Sequence, residues 1–347
     1  MNAVTKILLR IALLAAGLLA CLATLPDARA ETPAAPTEGI WVAHDADRER
    51  PRIELAVGRS WRSGLQVREP GLRAFLRGST GAAHELRREA GTFLLRREAA
   101  AGDAVSGTFR FTPDPAFEAA LAARGYAAVS GSRLFQMAAL DLTTGFIDGL
   151  GELGYQSLSL ERLLEMAIHG ATPGYVREMA DVGLVGLSSR ELVAARIHGV
   201  TPEFAVQIAT AGYGELPLEL LLQFRIHGVT PAFVDALRER EMGGLSAATL
   251  IALRIHGVTP AYLDAMAELG YAGLPAQRWV EARIHGVSPE FVRELDELGY
   301  RGLPLSTLVQ MRIHGVTPAF VRRVAERSSR TPSARRLIEM RIHGWGE

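Results

Sequence analysis

The chain has 347 residues, 48% of them hydrophobic and 22% charged, enough for a substantial core, which excludes intrinsic disorder and a disulfide-stapled mini-protein. Its 38 basic residues balance its 38 acidic ones, which argues against nucleic acid as a partner, because domains that hold polyanions are normally strongly basic. Cys21 is the sole cysteine and Lys6 the sole lysine, so every other basic residue is arginine.

At the N-terminus, Lys6 and Arg10 precede an apolar stretch at 11–25, followed by Pro26 and Ala28-Arg29-Ala30. Residues 1–30 read as a secretory signal peptide cleaved after Ala30, which places the mature chain in the periplasm or outside the cell. The apolar run is short of the ~20 residues that span a bilayer as a helix. A lipoprotein signal is the rival reading, with Cys21 carrying the lipid and the membrane as a partner only in that case. Residues 31–40, rich in proline and alanine, read as a flexible leader.

From Trp41 the periodicity becomes two. Ile53-Leu55-Val57, Trp61-Ser63-Leu65-Val67, Phe93-Leu95 and Phe109-Phe111 alternate with polar or small neighbours, and Ala101-Gly102-Asp103 has the composition of a hairpin loop. Residues 41–109 are therefore expected to form a small antiparallel β domain. At this size and without disulfides it would be marginal alone, so it is expected to dock on the helices that follow.

Histidines then set the organisation: His169, His198, His227, His256, His285, His314 and His343 recur every 29 residues. Six lie in Arg-Ile-His-Gly, at Arg196, Arg225, Arg254, Arg283, Arg312 and Arg341, and the seventh in Ala167-Ile168-His169-Gly170. Two units without histidine precede them, at 110–138 and 139–167. Each unit reads as two short helices. Thr-Pro or Ser-Pro supplies an N-cap and a proline at the first helical position, and glycines such as Gly299 and Gly315 end the two helices. In the unit 284–312 the first helix turns Phe291, Val292 and Leu295 inward, and the second is expected to carry Leu308, Met311 and Ile313 inward. Paired helices this short cannot bury an apolar face alone, so the units are expected to stack into an α-solenoid of about eight repeats over 110–347. The fold class is mainly α, behind a small β domain. The arginine-rich unit 313–341, with Ser328-Ser329 in place of Gly-Tyr, reads as a solvent-facing end.

The IHGVTPEF-type repeat, with its Gly-Tyr and its leucines, resembles repeats of uncharacterised exported bacterial proteins. It is also similar to repeats that follow the peptidase domain in some homologues of the beta-lactam-sensing antirepressor metallopeptidases. This chain has neither a His-Glu-x-x-His motif nor membrane helices, so the resemblance implies a sensing or interaction module without the peptidase.

The histidine and arginine ladders are where chemistry could lie. Seven histidines could bind metal or sense pH, yet equivalent imidazoles a repeat apart cannot share one ion, and no Cys, Asp or Glu recurs at a fixed offset beside them. The expected role is to close helix ends, donating to free carbonyls and packing under the next Thr-Pro turn. The arginines could hold carboxylates or phosphates, or else pair with acidic neighbours and cover the core. Tyr126, Tyr155, Tyr213, Tyr271 and Tyr300 are expected to pack in the core, with a carbohydrate-binding groove as the rival. There is no G-x-S-x-G elbow, P-loop, Rossmann fingerprint or zinc pair, and no cofactor is implied. The expectation is a non-catalytic exported scaffold that binds another protein or an extended polymer. A metal, ligand or pH sensor built on the ladders is the alternative, and a hydrolase the third reading.

Overall fold

A computed structural model describes residues 38–44, 52–57, 61–65, 70–101, 104–328 and 330–344. The expected signal peptide, its Cys21 lipid site and most of the leader lie outside the described residues, as do Val67, Ser329 and the Gly102-Asp103 turn. The protein is mainly helical, with helices in tandem behind an N-terminal antiparallel sheet. It divides into two compact units, Met1–Thr144 and Gly145–Glu347.

In the first unit six strands form one sheet: β1 (Glu38–His44), β2 (Arg52–Val57), β3 (Trp61–Leu65), β4 (Ala83–Arg88), β5 (Gly91–Ala101) and β6 (Ala104–Pro113). Their spatial order is β3-β2-β1-β6-β5-β4, and every neighbouring pair is antiparallel. The alternation read from the sequence works as follows: Trp41, Ile53, Leu55, Phe93, Leu95, Phe109 and Phe111 are all buried on one face. Strand β6 runs on to Pro113 because Phe111 continues the alternation, and it stops where Asp114 Oδ1 accepts the Ala116 N–H at 2.8 Å to cap the next helix.

Two helices cover that face. Helix α1 (Pro70–Leu76) buries Leu72, Phe75 and Leu76. After α2 (Pro115–Ala123), helix α3 (Gly131–Leu140) sets Phe135 among Phe93, Phe109 and Phe111, with ring centroids 5.4–5.7 Å apart. Trp41 Nε1 donates to the carbonyls of Arg96 and Thr108 at 3.2 and 3.0 Å, so this buried ring leaves no polar atom without a partner.

The second unit repeats one local design. First helices are α4 (Thr144–Glu152), α6 (Pro173–Asp181), α8 (Pro202–Ile208), α10 (Pro231–Arg238), α12 (Pro260–Ala267), α14 (Pro289–Glu297) and α16 (Pro318–Glu326). Second helices are α5 (Leu160–His169), α7 (Ser189–His198), α9 (Leu218–His227), α11 (Ala247–Ile255), α13 (Ala276–Ile284), α15 (Leu305–Ile313) and α17 (Ala334–Ile342). The caps follow the sequence pattern: Thr172, Thr201, Thr230, Thr259, Ser288 and Thr317 each accept the N–H of the residue three positions on at 3.1–3.2 Å. Pro173 and its equivalents hold the first helical position, where no N–H is needed.

The helices pack in two rows. Each second helix lies against the next, from α5 through α17, and first helices do the same from α10 through α16. Between the rows Phe224, Leu253, Met266, Leu295, Leu308 and Met311 are excluded from solvent. One repeat departs from the pattern: after α8 the chain makes a π-helical turn (Ala209–Tyr213). Glu215 stands there where neighbouring repeats place a glycine with positive φ, such as Gly186 and Gly273, and the positive φ moves to Gly214.

Candidate functional site

The Arg-Ile-His-Gly tetrapeptide ends each second helix, and its four residues do different work. Each arginine reaches back to the end of the preceding second helix. The Nε–H groups of Arg196, Arg225, Arg254, Arg283 and Arg312 donate to the carbonyls of His169, His198, His227, His256 and His285 at 3.1–3.3 Å. On the way the guanidinium lies over an aromatic ring of the intervening first helix. Tyr175, Phe204, Phe233, Tyr262 and Phe291 serve in turn, with 4.9–5.1 Å from guanidinium carbon to ring centroid.

The glycine completes this joint. Gly257 ends its helix at φ +69°, a conformation that costs a side-chain-bearing residue free energy, and a Cβ there would stand 3.0 Å from Arg283 Nη2. The arginine thus satisfies an orphan helix-end carbonyl, stacks on a ring and fills the space that a Cβ would need. Pairing with acidic neighbours, the alternative weighed from the sequence, is instead the role of other arginines: Arg240 with Asp264 at 2.6 and 2.7 Å, and Arg322 with Glu294 at 3.2 Å.

The tyrosines tie repeats together as well. Tyr213, Tyr271 and Tyr300 donate their hydroxyls to the carbonyls of Leu245, Leu303 and Pro332 at 2.6–2.8 Å, each in the loop that enters the second helix of the next repeat. Tyr175 and Tyr262 bond the carbonyls of Val200 and Val287, and burial pushes both phenols up to about 12.

The histidines are half-buried from His169 to His314. It is their backbone carbonyls that are used, as acceptors for arginine, and not their rings as donors in the way the sequence suggested. His256 Nε2 is buried without a hydrogen-bond partner, and burial holds the imidazoles of His227 and His256 below their ordinary pKa. Among the described residues no three His, Cys, Asp or Glu side chains converge as a metal-ligand set.

Isoleucine is the surprise of the tetrapeptide. Ile313, expected inward, is 47% exposed, and the same holds at every equivalent position: Ile168, Ile197, Ile226, Ile255, Ile284 and Ile342 are 41–57% exposed. Helix geometry explains the correction. Two residues advance an α-helix by about 200°, so with Met311 in the core Ile313 must point away from it. The residue three positions earlier on the same surface changes from repeat to repeat, as Glu165, Ala194, Gln223, Ala252, Glu281 and Gln310. The residue four positions earlier is apolar in every repeat, as Leu164, Val193, Leu222, Ile251, Val280, Val309 and Ile338, so each isoleucine continues the edge of the core outward with about half of its surface left in solvent.

The sheet carries a separate feature, a depression of about 270 Å³ on its outer face, lined among others by Glu38, Arg96, Thr108 and Arg110. Arg110 already pairs with Glu38 at 2.6 Å, and the Thr108 hydroxyl donates to Glu98 at 2.8 Å. Among the described residues no helix is long and apolar enough to cross a membrane. Comparison with protein families, curated proteins and solved structures finds no match.

Proposed function

We propose that the chain is a non-catalytic, exported interaction scaffold: an α-solenoid of about eight repeats whose exposed isoleucine row holds another protein or an extended polymer, with a place in envelope sensing or signalling. The observation that carries this reading is the row itself, since exposed apolar side chains repeated along one edge mark a binding surface better than any other feature of the molecule. The joints support it. They commit arginine, glycine and tyrosine to holding repeats in register and leave isoleucine, with the half-exposed histidine beside it, facing outward. The same commitment weakens the sensor reading, because the ladder arginines spend their guanidinium groups on rings and carbonyls within the chain.

The test is photo-crosslinking in the native cell envelope. Probes are placed at Gln223, Ala252 and Gln310 beside the isoleucine row, with control probes at Ile40 and Arg96 on the outer face of the sheet. Amine crosslinkers would be nearly blind to this chain, whose sole lysine, Lys6, is lost with the expected signal peptide. One dominant adduct from the row, absent from the sheet controls, is the expected result. Adducts from the sheet alone, or from neither surface in a folded and abundant protein, would remove the scaffold reading.

A further inference from the structure

The even balance of charge over the whole chain conceals one strongly basic repeat. Residues 317–344 hold seven arginines and two carboxylates, a net charge of +5 with histidine neutral, while each of the six 29-residue repeats from 143 to 316 has a net charge between −3 and 0. Two of the seven arginines are committed within the fold: Arg341 lies over the Phe320 ring at 5.2 Å, and Arg322 reaches back to Glu294 at 3.2 Å. Arg335 and Arg336 share the one carboxylate of Glu339 at 3.1 and 3.3 Å, with side chains 90% and 53% exposed. Arg323, Arg327 and Arg330 are exposed, and among the described residues their guanidinium groups meet no acceptor. Arg323 and Arg327 stand one turn apart on one face at the end of α16, and Arg330 follows in the loop that leads to α17.

Positive charge crowded on one exposed surface repels itself, and an anionic partner relieves that repulsion. A second copy of this chain offers little to match it, because the most acidic repeat, 143–171, already sets Glu152 against Arg177 at 3.6 Å and Glu165 against Arg162. The exposed arginines are spread over α16, the loop after it and α17, which suits a surface of many anionic groups better than one bidentate ligand. Helix α17 adds apolar surface of its own. Ile342 is 55% exposed, and Met340 is half-buried where its equivalents Leu253, Ala282 and Met311 are excluded from solvent. Clustered basic residues with exposed apolar ones among them match the chemistry of an anionic headgroup layer, phosphate outside and acyl chain beneath.

We propose that the repeat 317–344 docks on a bilayer surface rich in anionic phospholipid, with Arg323, Arg327 and Arg330 against the phosphates and Ile342 at the headgroup boundary. The contact needs no lipid at Cys21. It rests on the charge of one repeat, which the scaffold reading does not use, so either can fail without the other.

The test is co-sedimentation of the full chain with phosphatidylcholine vesicles, with and without phosphatidylglycerol. Binding should need the anionic lipid. It should also fall when salt is raised from about 0.1 M to about 1 M, which shortens the Debye length from about 10 Å to about 3 Å. Each arginine near an anionic surface is worth about fivefold in affinity, so Arg323→Gln, Arg327→Gln and Arg330→Gln together should weaken binding by at least about tenfold, with the melting temperature retained. A control variant removes three exposed arginines of other repeats, Arg190→Gln, Arg293→Gln and Arg301→Gln, and should bind like the parent chain. Every variant keeps residues 1–30, so any lipid affinity of the expected signal peptide cancels in the comparison. No binding to anionic vesicles, equal binding to neutral ones, or equal weakening in the control variant would each overturn the proposal. So would tighter binding of polyglutamate or single-stranded DNA than of the vesicles, which would give the patch to another polyanion, or self-association that is lost with the three arginines.

Discussion

Glu241 occupies φ +59°, at the place where neighbouring repeats put Gly154, Gly183, Gly212, Gly270 and Gly299 with φ between +86 and +102°. A left-handed residue with a Cβ costs about 1–2 kcal/mol, and the backbone entropy of glycine returns about 0.5–1 kcal/mol of that. Glu241→Gly should therefore stabilise the protein by about 0.5 kcal/mol, read as a rise in melting temperature; a fall would mean that the glutamate makes a compensating contact. Gly257→Val is the opposite experiment. It adds a β-branched side chain at φ +69° against Arg283, and about 2 kcal/mol of destabilisation is expected. The two half-buried imidazoles supply a pH test. His227 and His256 have folded pKa values below the free value because burial disfavours the charged ring. Protonation is then easier in the unfolded chain, so stability is full above pH ~6.5 and falls as pH drops through the lower folded values. Asp264, Glu290 and Glu339 are held below the usual carboxylate range by their hydrogen bonds, so they stay ionised throughout this window. Both imidazoles are partly exposed, so the fall in melting temperature between pH 7.5 and 5.5 should be small. Replacing both histidines with Gln should reduce it, and an undiminished fall would assign the effect elsewhere.

At the scale of the element, the joint is a three-part contact that a double-mutant cycle can separate. Arg254 donates to the His227 carbonyl at 3.3 Å and lies 5.0 Å from the Phe233 centroid. Arg254→Lys keeps the charge but loses the Nε–H donor and the planar face, at a cost of about 1–2 kcal/mol. Combined with Phe233→Leu it should show a coupling of about 0.5–1 kcal/mol by denaturant melts, and simple additivity would mean that the stack contributes nothing. Such joints mark where sequence reasoning ends. The 29-residue period, the Thr-Pro caps and the terminal glycines are local signals, readable because each is settled within one turn of chain. That arginine would reach a carbonyl 27 residues behind it is a tertiary fact, and the sequence left open whether it paired with acids or covered the core. The exposed isoleucine was legible after all, since counting 100° per residue from Met311 already turns Ile313 outward. In the sheet, the alternating residues showed which side chains go inside, while the strand order did not show. Pairing β1 with β6 joins residues such as Trp41 and Gly107, far apart in sequence, and leaves no local mark. Helix α1, between β3 and β4, was likewise missed in a segment read as wholly β.

At the scale of the whole molecule, the two helix rows make stability a property of neighbours. Each inner second helix is held by the one before and the one after it; the hydrogen-bonded joint recurs from α5 to α15, while at α17 Arg341 stacks on Phe320 but its buried Nε has no hydrogen-bond partner. In such an arrangement free energy is close to a sum of repeat terms and nearest-neighbour terms, and a local defect need not be felt equally everywhere. Gly257→Val places the defect mid-row, where α11 ends against Arg283 of α13. Hydrogen exchange should then show amides of α11 and α13 losing protection most, by roughly thirtyfold for a 2 kcal/mol defect. The loss should shrink through α9 and α15 and be least at α5 and α17. Equal loss in every helix of the unit would instead mean all-or-none unfolding, with joints strong enough that no repeat opens alone. The pattern also bears on binding. If repeats open separately, a partner spanning several isoleucines stabilises each joint it bridges, and protection gained on adding it should trace its footprint along the row.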